Sequence, residues 1–333
     1  MSRPEKYINY SGASYSLLKS LSEHPKAARD MLLGYTKHSS SLSMGNLVDT
    51  LLTDFYSFND IYFIYEDYMP TDKMKILADE YIAKYLYKIE KGIELNFVED
   101  VLFARELADY DRRLKDTTVL EKFDKEATKY VEAVINNLGK LLVPQTEYFM
   151  AYDLVDSVKE DPIVGKFFTT TDTSETIFQQ ELYWEYSRND IKMNVKNLLD
   201  IIWIDHANKK VLIVDAKTYE GDFERNYYKY KLYIQAELYL EGIRHNTHLI
   251  PEGYELSGFY FVAIDKTKYK GNLLYKHSTN YYAVWNGGIL TDSSGRDYQI
   301  RGLHTLFREL DWHQKNNAWD YPYEYYQNNF IQL

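Results

Sequence analysis

An α/β fold, with a mixed central β-sheet flanked by helices and a helical N-terminal part, is predicted by three observations. Helical spacing of apolar residues dominates positions 1–145. Alternation of apolar and polar residues takes over after about position 174. A helical segment then separates the third strand from a fourth. Helices followed by strand–strand–strand–helix–strand describe one α/β unit with a mixed sheet. The 333 residues are read as a single domain spanning 1–333, with a mainly helical N-terminal region over residues 1–145, a sheet-and-helix core over residues 174–265 and a C-terminal extension over residues 266–333.

The elements follow in order. In "SYSLLKSLSEHPKAARDMLLGY", Ser14 is placed to cap a first helix, Pro25 suits the first turn of a second, and Gly34 suits its end. "SMGNLVDTLLTDFY" reads as a short helix. "ADEYIAKYLYKIEKGIE", "VEDVLFARELADYDRRLKD" and "VLEKFDKEATKYVEAVINNLGKLL" repeat apolar residues every three or four positions. "ETIFQQELYWEYS", "VKNLLDIIWID" and "KKVLIVDAKTY" read as strands, the last two joined by the turn "HANKK". "DFERNYYKYKLYIQAELYLEGI" returns to helical spacing, and "YELSGFYFVAID" is a further strand. A lysine- and tyrosine-rich stretch covers about 266–285. The helix "RDYQIRGLHTLFRELDWHQKNN" and an aromatic tail, "AWDYPYEYYQNNFIQL", follow.

Composition narrows the classes. Hydrophobic residues make up 45% and charged residues 27%, as in a globular chain. No apolar run approaches the roughly 20 residues that span a bilayer, and "MSRPEKYINYSG" lacks a signal-peptide core, so no membrane association and a cytoplasmic location are expected. The absence of cysteine excludes disulfides, thiolate zinc sites and cysteine-ligated iron–sulfur clusters. A net charge of −11 argues against a general nucleic-acid coat but leaves room for a local basic groove. Most of the 34 tyrosines are expected at half-buried positions in place of leucine or phenylalanine.

Two apolar strands are each interrupted by an aspartate, Asp200 and Asp215. A buried carboxylate is costly unless it is paired or binds a metal. As hairpin neighbours, the two would share a cation, and hard oxygen ligands suit Mg²⁺ or Mn²⁺. Lys217, two residues after Asp215, projects from the same face of an extended strand. It could orient a water or neutralise a phosphate. Glu181 in the preceding strand is a further candidate carboxylate. Gln235 and Tyr239, four apart, share one helical face.

With these residues in view, the sequence resembles the PD-(D/E)XK nuclease superfamily, within it the phage-type and RecB-like exonucleases of the RecE and lambda exonuclease group. The resemblance rests on "QELYW", "VKNLLDII", "VLIVDAKTY" and "YIQAELYL", and covers about residues 14–245. It implies a restriction-endonuclease-like core and a Mg²⁺- or Mn²⁺-dependent deoxyribonuclease. Asp200 and Asp215 would be core metal ligands, aided by the Ala216 carbonyl, with Glu181 and Asp49 in support. Asp49 follows Gly45 in "MGNLVDTLL" and stands where many members carry His. Lys217 would be catalytic, and Gln235 and Tyr239 would orient it or contact the strand being cut. Lys196, Arg225, Lys229 and Lys231 are candidate phosphate contacts. Members without a cluster often form rings that thread DNA and often work with a single-strand annealing protein. DNA, a homo-oligomeric ring and such a partner are therefore implied, in recombination, repair or DNA processing, in a host cytoplasm for a phage-encoded member. An endonuclease of the same superfamily, or an inactive nuclease-like DNA-binding protein, would use the same residues.

Overall fold

The structure, a computed structural model, describes residues 5–35, 40–267, 271–278 and 280–331. It is a mixed α/β fold whose five-stranded central sheet is flanked by helices. The chain gathers into two compact units, one made of 1–55 with 152–333 and the other of 56–151.

The first unit opens with helices α1 (Glu5–Asn9), α2 (Tyr15–Glu23), α3 (Pro25–Leu32) and α4 (Ser40–Thr53). Ser14 caps α2, its hydroxyl accepting from the Leu17 amide, and Pro25 begins α3, both as expected. The second unit holds α5 (Phe58–Ile61), β1 (Tyr62–Tyr65), α6 (Asp72–Lys91), α7 (Phe97–Leu107), α8 (Asp116–Asn136) and β2 (Leu141–Pro144). α6, α7 and α8 close around Met74, Leu77, Val101, Val119 and Phe123. The residues "KLL", expected to continue the third of these helices, lie beyond its end at Asn136: the chain turns at Gly139 (φ 86°), and Leu141 and Leu142 enter β2, which pairs in parallel with β1. Lys88 and Asp100 form a buried ion pair at 2.7 Å inside this unit, and Asp100 also accepts from the Asn96 amide.

The chain then supplies α9 (Gln145–Lys159), β3 (Ser174–Arg188), β4 (Ile191–Asp205), β5 (Lys210–Tyr219), α10 (Phe223–Lys229), α11 (Leu232–His245), β6 (Glu255–Asp265) and β7 (Asn272–Lys276). The elements α12 (Tyr281–Asn286), β8 (Gly288–Thr291), β9 (Asp297–Ile300), α13 (Leu303–Asn316) and α14 (Tyr323–Asn328) complete it. The sheet order is β3-β4-β5-β6-β7, antiparallel except for the β5–β6 pair, which α11 connects. That single parallel step is what demands a helical crossover.

Other expected helices are shorter than their spacing suggests; "VEDVLFARELADYDRRLKD" already ends at Leu107. "DFERNYYKYKLYIQAELYLEGI" breaks at Lys231, whose backbone is left-handed (φ 56°), so α10 and α11 are separate. "RDYQI" forms β9 against β8 instead of starting α13, which begins after Gly302. A side chain at Gly302 would press on the Gly287 amide at 2.3 Å, so a close backbone approach sets that boundary.

β4 outruns its neighbour. Its pairs with β5 run from Ile201 to Asp205, while residues 191–199 extend beyond β5. The N-terminal segment takes the free edge there: the Ala13 amide donates to Asn194 O and the Lys196 amide to Ala13 O, both at 2.8 Å. An unpaired edge amide and carbonyl would otherwise lose their hydrogen bonds. Among the described residues, no helix is long and apolar enough to cross a membrane.

Replacing Asp100 with Ala would leave the Lys88 ammonium buried without its partner. Urea unfolding of Asp100→Ala is expected to show a loss of about 3 kcal/mol or more, while an Asp→Ala change at exposed Asp109, whose partner Arg112 is also exposed, stays within about 0.5 kcal/mol of the parent.

Candidate metal and phosphate site

The site forms where the β4–β5 ladder ends. Ile201 pairs with Val214, so the next register step sets Asp200 across from Asp215. Beyond that step the Ala216 amide meets a side chain instead of a strand carbonyl, donating to Asp200 Oδ2 at 3.3 Å. Asp200 and Asp215 are buried, at 8% and 0% exposure. Lys217 reaches between them, its Nζ 2.6 Å from Asp215 Oδ2 and 3.8 Å from Asp200 Oδ2. The hairpin pairing and the shared face of Asp215 and Lys217 are therefore as the strand pattern implies.

α11 covers the cluster. Gln235, 3% exposed, donates from Nε2 to Asp215 Oδ1 at 2.6 Å. This orientation follows from chemistry, since a carboxylate oxygen requires a donor. It leaves Gln235 Oε1 as a buried acceptor without a hydrogen-bond partner among the described residues. Tyr239, one turn further, is buried beside it. Burial pushes its hydroxyl well above the ordinary tyrosine value, and Tyr7, Asp215 and Asp200 push the same way.

α4 brings Asp49. Gly45 sits one turn earlier, where a side chain would stand 3.2 Å from Thr218 Oγ1, so a glycine lets the helix lie close to β5. Burial, and then the charge of Asp200, push Asp49 up to about 8, against the opposite pull of Lys217 and Thr53. Asp215 is raised for the same reasons, burial first and Asp200 second. Burial disfavours charge on Lys217, but Asp215 and Asp200 outweigh it and hold the ammonium above its usual value. Three carboxyl groups thus share one ammonium.

Glu181 is differently engaged. It pairs across the ladder with Leu198 and takes a hydrogen bond from the Tyr183 hydroxyl. The position on β3 that falls opposite Asp200 is Gln179, held in a left-handed conformation (φ 52°). Gln179 Nε2 donates to Thr53 Oγ1 at 2.6 Å, and that hydroxyl lies 3.3 Å from Asp49 Oδ1. Gln179 and Thr53 were not singled out in the sequence, although Thr53 lies one helical turn after Asp49. Tyr15 is a third addition. Its hydroxyl donates to Tyr230 O at 2.6 Å, and its acidity responds, after burial, to Lys217 and Asp215.

The candidate phosphate contacts lie apart from one another in their chemistry. Lys196 is committed within the chain: its Nζ contacts Tyr7 O at 2.8 Å and Tyr10 O at 2.7 Å, securing the end of α1. Lys231 Nζ meets Ser22 Oγ at 2.5 Å. Burial holds that lysine below its usual value, Glu23 opposes this, and Arg301 and Lys19 add to it. Lys229 Nζ lies over the Tyr230 ring, 5.0 Å from its centre, and Arg225 is exposed on α10.

Among the described residues, no three His, Cys, Asp or Glu side chains are gathered into a ready metal-binding group. The donor chemistry of the cluster nonetheless fits a hard divalent ion. Its acceptors are all oxygens, its carboxyl groups outnumber its ammonium, and Gln235 Oε1 adds a buried acceptor.

No protein-family profile matches the chain, and no curated protein matches it. Among solved structures, it is similar to a Eubacterium rectale protein named "Putative exonuclease", with 13% identity over all of this chain and 96% of that one, and a TM-score of 0.47. SSO0001 aligns with 75% of this chain and 89% of its own at 13% identity, with a TM-score of 0.27. Likenesses of that size assign no family.

A carboxyl raised in the folded protein binds a proton that the unfolded chain releases. Its contribution is present below the ordinary value of 3.8 and is lost as pH rises through about 8. In chelator-treated buffer, urea unfolding of the parent is expected to show stability falling across that window. Asp49→Asn is expected to flatten the slope. An unchanged slope would show that Asp49 does not carry the shift.

Proposed function

We propose that this chain is a metal-dependent phosphodiesterase. Within that class, the reading best supported is a DNA exonuclease of the PD-(D/E)XK type, acting in recombination, repair or DNA processing. The observation that carries it is the placement of Lys217 at 2.6 Å from Asp215 and 3.8 Å from Asp200, beneath Gln235 and beside Asp49. A surface ion pair needs one carboxylate for one ammonium; this cluster holds three carboxyl groups in and around a buried strand end.

Asp200 and Asp215 would hold Mg²⁺ or Mn²⁺, with Asp49 and the Ala216 carbonyl in support. The bound ion would polarise a phosphoryl oxygen and lower the pKa of a coordinated water. The chain's own groups do the rest. Lys217, kept as an ammonium, is a poor base; it serves by donating hydrogen bonds to the attacking water or to a phosphate oxygen. Gln235 fixes the rotamer of Asp215 through Oδ1, leaving the other oxygen toward Lys217. Gln179 and Thr53 do the same for Asp49. Arg225, Lys229 and Lys231, on and beside α10, would meet the phosphate backbone. Glu181, held by Tyr183, would join the ion only after releasing that hydroxyl. A ring-shaped homo-oligomer and a single-strand annealing partner belong to the same reading. An endonuclease would use the same groups and differs in its need for a free end.

The test is degradation of linear and of covalently closed circular duplex DNA with Mg²⁺ or Mn²⁺. The parent is expected to degrade the linear form and spare the circle. Lys217→Ala and Asp215→Ala are expected to lose about 100-fold or more in rate, the scale seen on removing one transition-state donor. Equal rates in all three proteins would refute the assignment, and cutting of the circle would move it to an endonuclease.

A further inference from the structure

A polar cavity lies at the far end of the β3–β4 hairpin, away from the carboxylate cluster. It has a volume of about 240 Å³ and is lined by Arg188 and Asn189 at the hairpin tip, Asn286 at the end of α12, and His304, Thr305 and Arg308 on α13. No lining residue is Asp or Glu. Among the described residues, neither Arg188 nor Arg308 forms an ion pair. The Arg188 guanidinium reaches only Asn286 Oδ1, at 3.4 Å, and that of Arg308 lies 5.5 Å from the centre of the Tyr323 ring.

The rest of the molecule makes this composition telling. The chain carries 50 Asp and Glu against 39 Lys and Arg, yet this cavity brings two arginines together with no carboxylate in its lining. Nearby on α13 and just before it, Arg301 meets Glu309 and Lys315 meets Asp311. At the hairpin tip, two arginines are left facing one cavity. The floor is rigid. Tyr186, 5% exposed, stacks on Phe307 with ring centres 3.9 Å apart, and its hydroxyl meets His304 Nδ1 at 2.9 Å. That contact fixes the plane of the His304 ring before any ligand arrives.

We propose that this cavity binds a phosphate group. Two guanidinium forks present paired N–H donors in the geometry that phosphate oxygens accept, and Arg supplies them without titrating. Asn189 and Thr305 add neutral donor groups around the same space. Two positive charges with no resident carboxylate match the charge of a phosphate monoester. The cavity's volume leaves room beyond the phosphate for part of an attached group. The ligand is thus a phosphate borne either by a free mononucleotide or by a nucleic-acid terminus or backbone. The site does not depend on the reading of the carboxylate cluster, because none of its residues belongs to that cluster.

Titration calorimetry in chelator-containing buffer tests it directly, with inorganic phosphate, thymidine 5′-monophosphate, a 5′-phosphorylated dodecathymidylate and succinate as separate titrants. Saturable binding of at least one phosphate compound is expected, and Arg188→Gln and Arg308→Gln are each expected to weaken it about tenfold or more. Arg308→Lys, which keeps the charge but not the fork, should fall between. Tighter binding of the mononucleotide identifies a free-nucleotide site, and tighter binding of the oligonucleotide identifies a strand contact. Three results overturn the proposal: no saturable binding of any phosphate compound, equal binding by variants that melt with the parent, or succinate binding as tightly as phosphate.

Discussion

One lysine has to serve three carboxyl groups, and the contacts around the end of β5 are arranged around that imbalance. Lys217 lies 2.6 Å from Asp215 and 3.8 Å from Asp200, and its ammonium is also felt at Asp49. Burying unmatched charge is among the costliest things a fold can do. The chain responds with hydrogen bonds: Gln235 to Asp215, the Ala216 amide to Asp200, and Thr53, itself held by Gln179, to Asp49. These contacts reduce the excess without removing it, and Asp49 and Asp215 remain pushed toward their protonated forms. A structural ion pair would gain from matched numbers. A surplus of hard oxygens is what a site for a divalent cation needs.

The sheet makes the arrangement possible. β4 is fifteen residues long and β5 is ten. Asp200 falls where β5 leaves its neighbour, so a backbone amide becomes available to a side chain. Further along, Gly12 and Ala13 take over the edge of β4, and Gly12 is needed because a side chain there would come within 3.0 Å of Asn194 O. The same N-terminal segment carries Tyr7 and Tyr15; Tyr15 feels the charges of Lys217 and Asp215, and Tyr7 acts on Tyr239. Strand length, edge protection and the site are therefore one construction.

The features legible in the sequence were those set by local periodicity. Alternation marked β3, β4, β5 and β6, and the register then followed from the turn at 206–210, because a short hairpin leaves little freedom in pairing. Asp200, Asp215, Lys217 and Gln235 were visible as polar residues in apolar surroundings. Where the structure departs from the local pattern, the causes are tertiary. Lys231 breaks a continuous helical pattern through a left-handed backbone that its side chain does not announce. β9 pairs with β8, and Gly287 and Gly302 approach closely at the open end of that hairpin. Gln179 and Thr53 are 126 residues apart, and only the folded chain joins them. Lys196, charged and next to an apolar run, looked available for phosphate, yet it serves the carbonyls at the end of α1.

The central claim is that the surplus of carboxyl groups exists to hold a divalent cation. Such groups must release protons as the ion binds. Mn²⁺ titration calorimetry near pH 7, repeated in two buffers of different ionisation enthalpy, measures both events together. Saturable binding accompanied by proton release is predicted, with both lost in Asp200→Asn. No saturable binding by the parent, or binding that survives unchanged in Asp200→Asn, would contradict the claim.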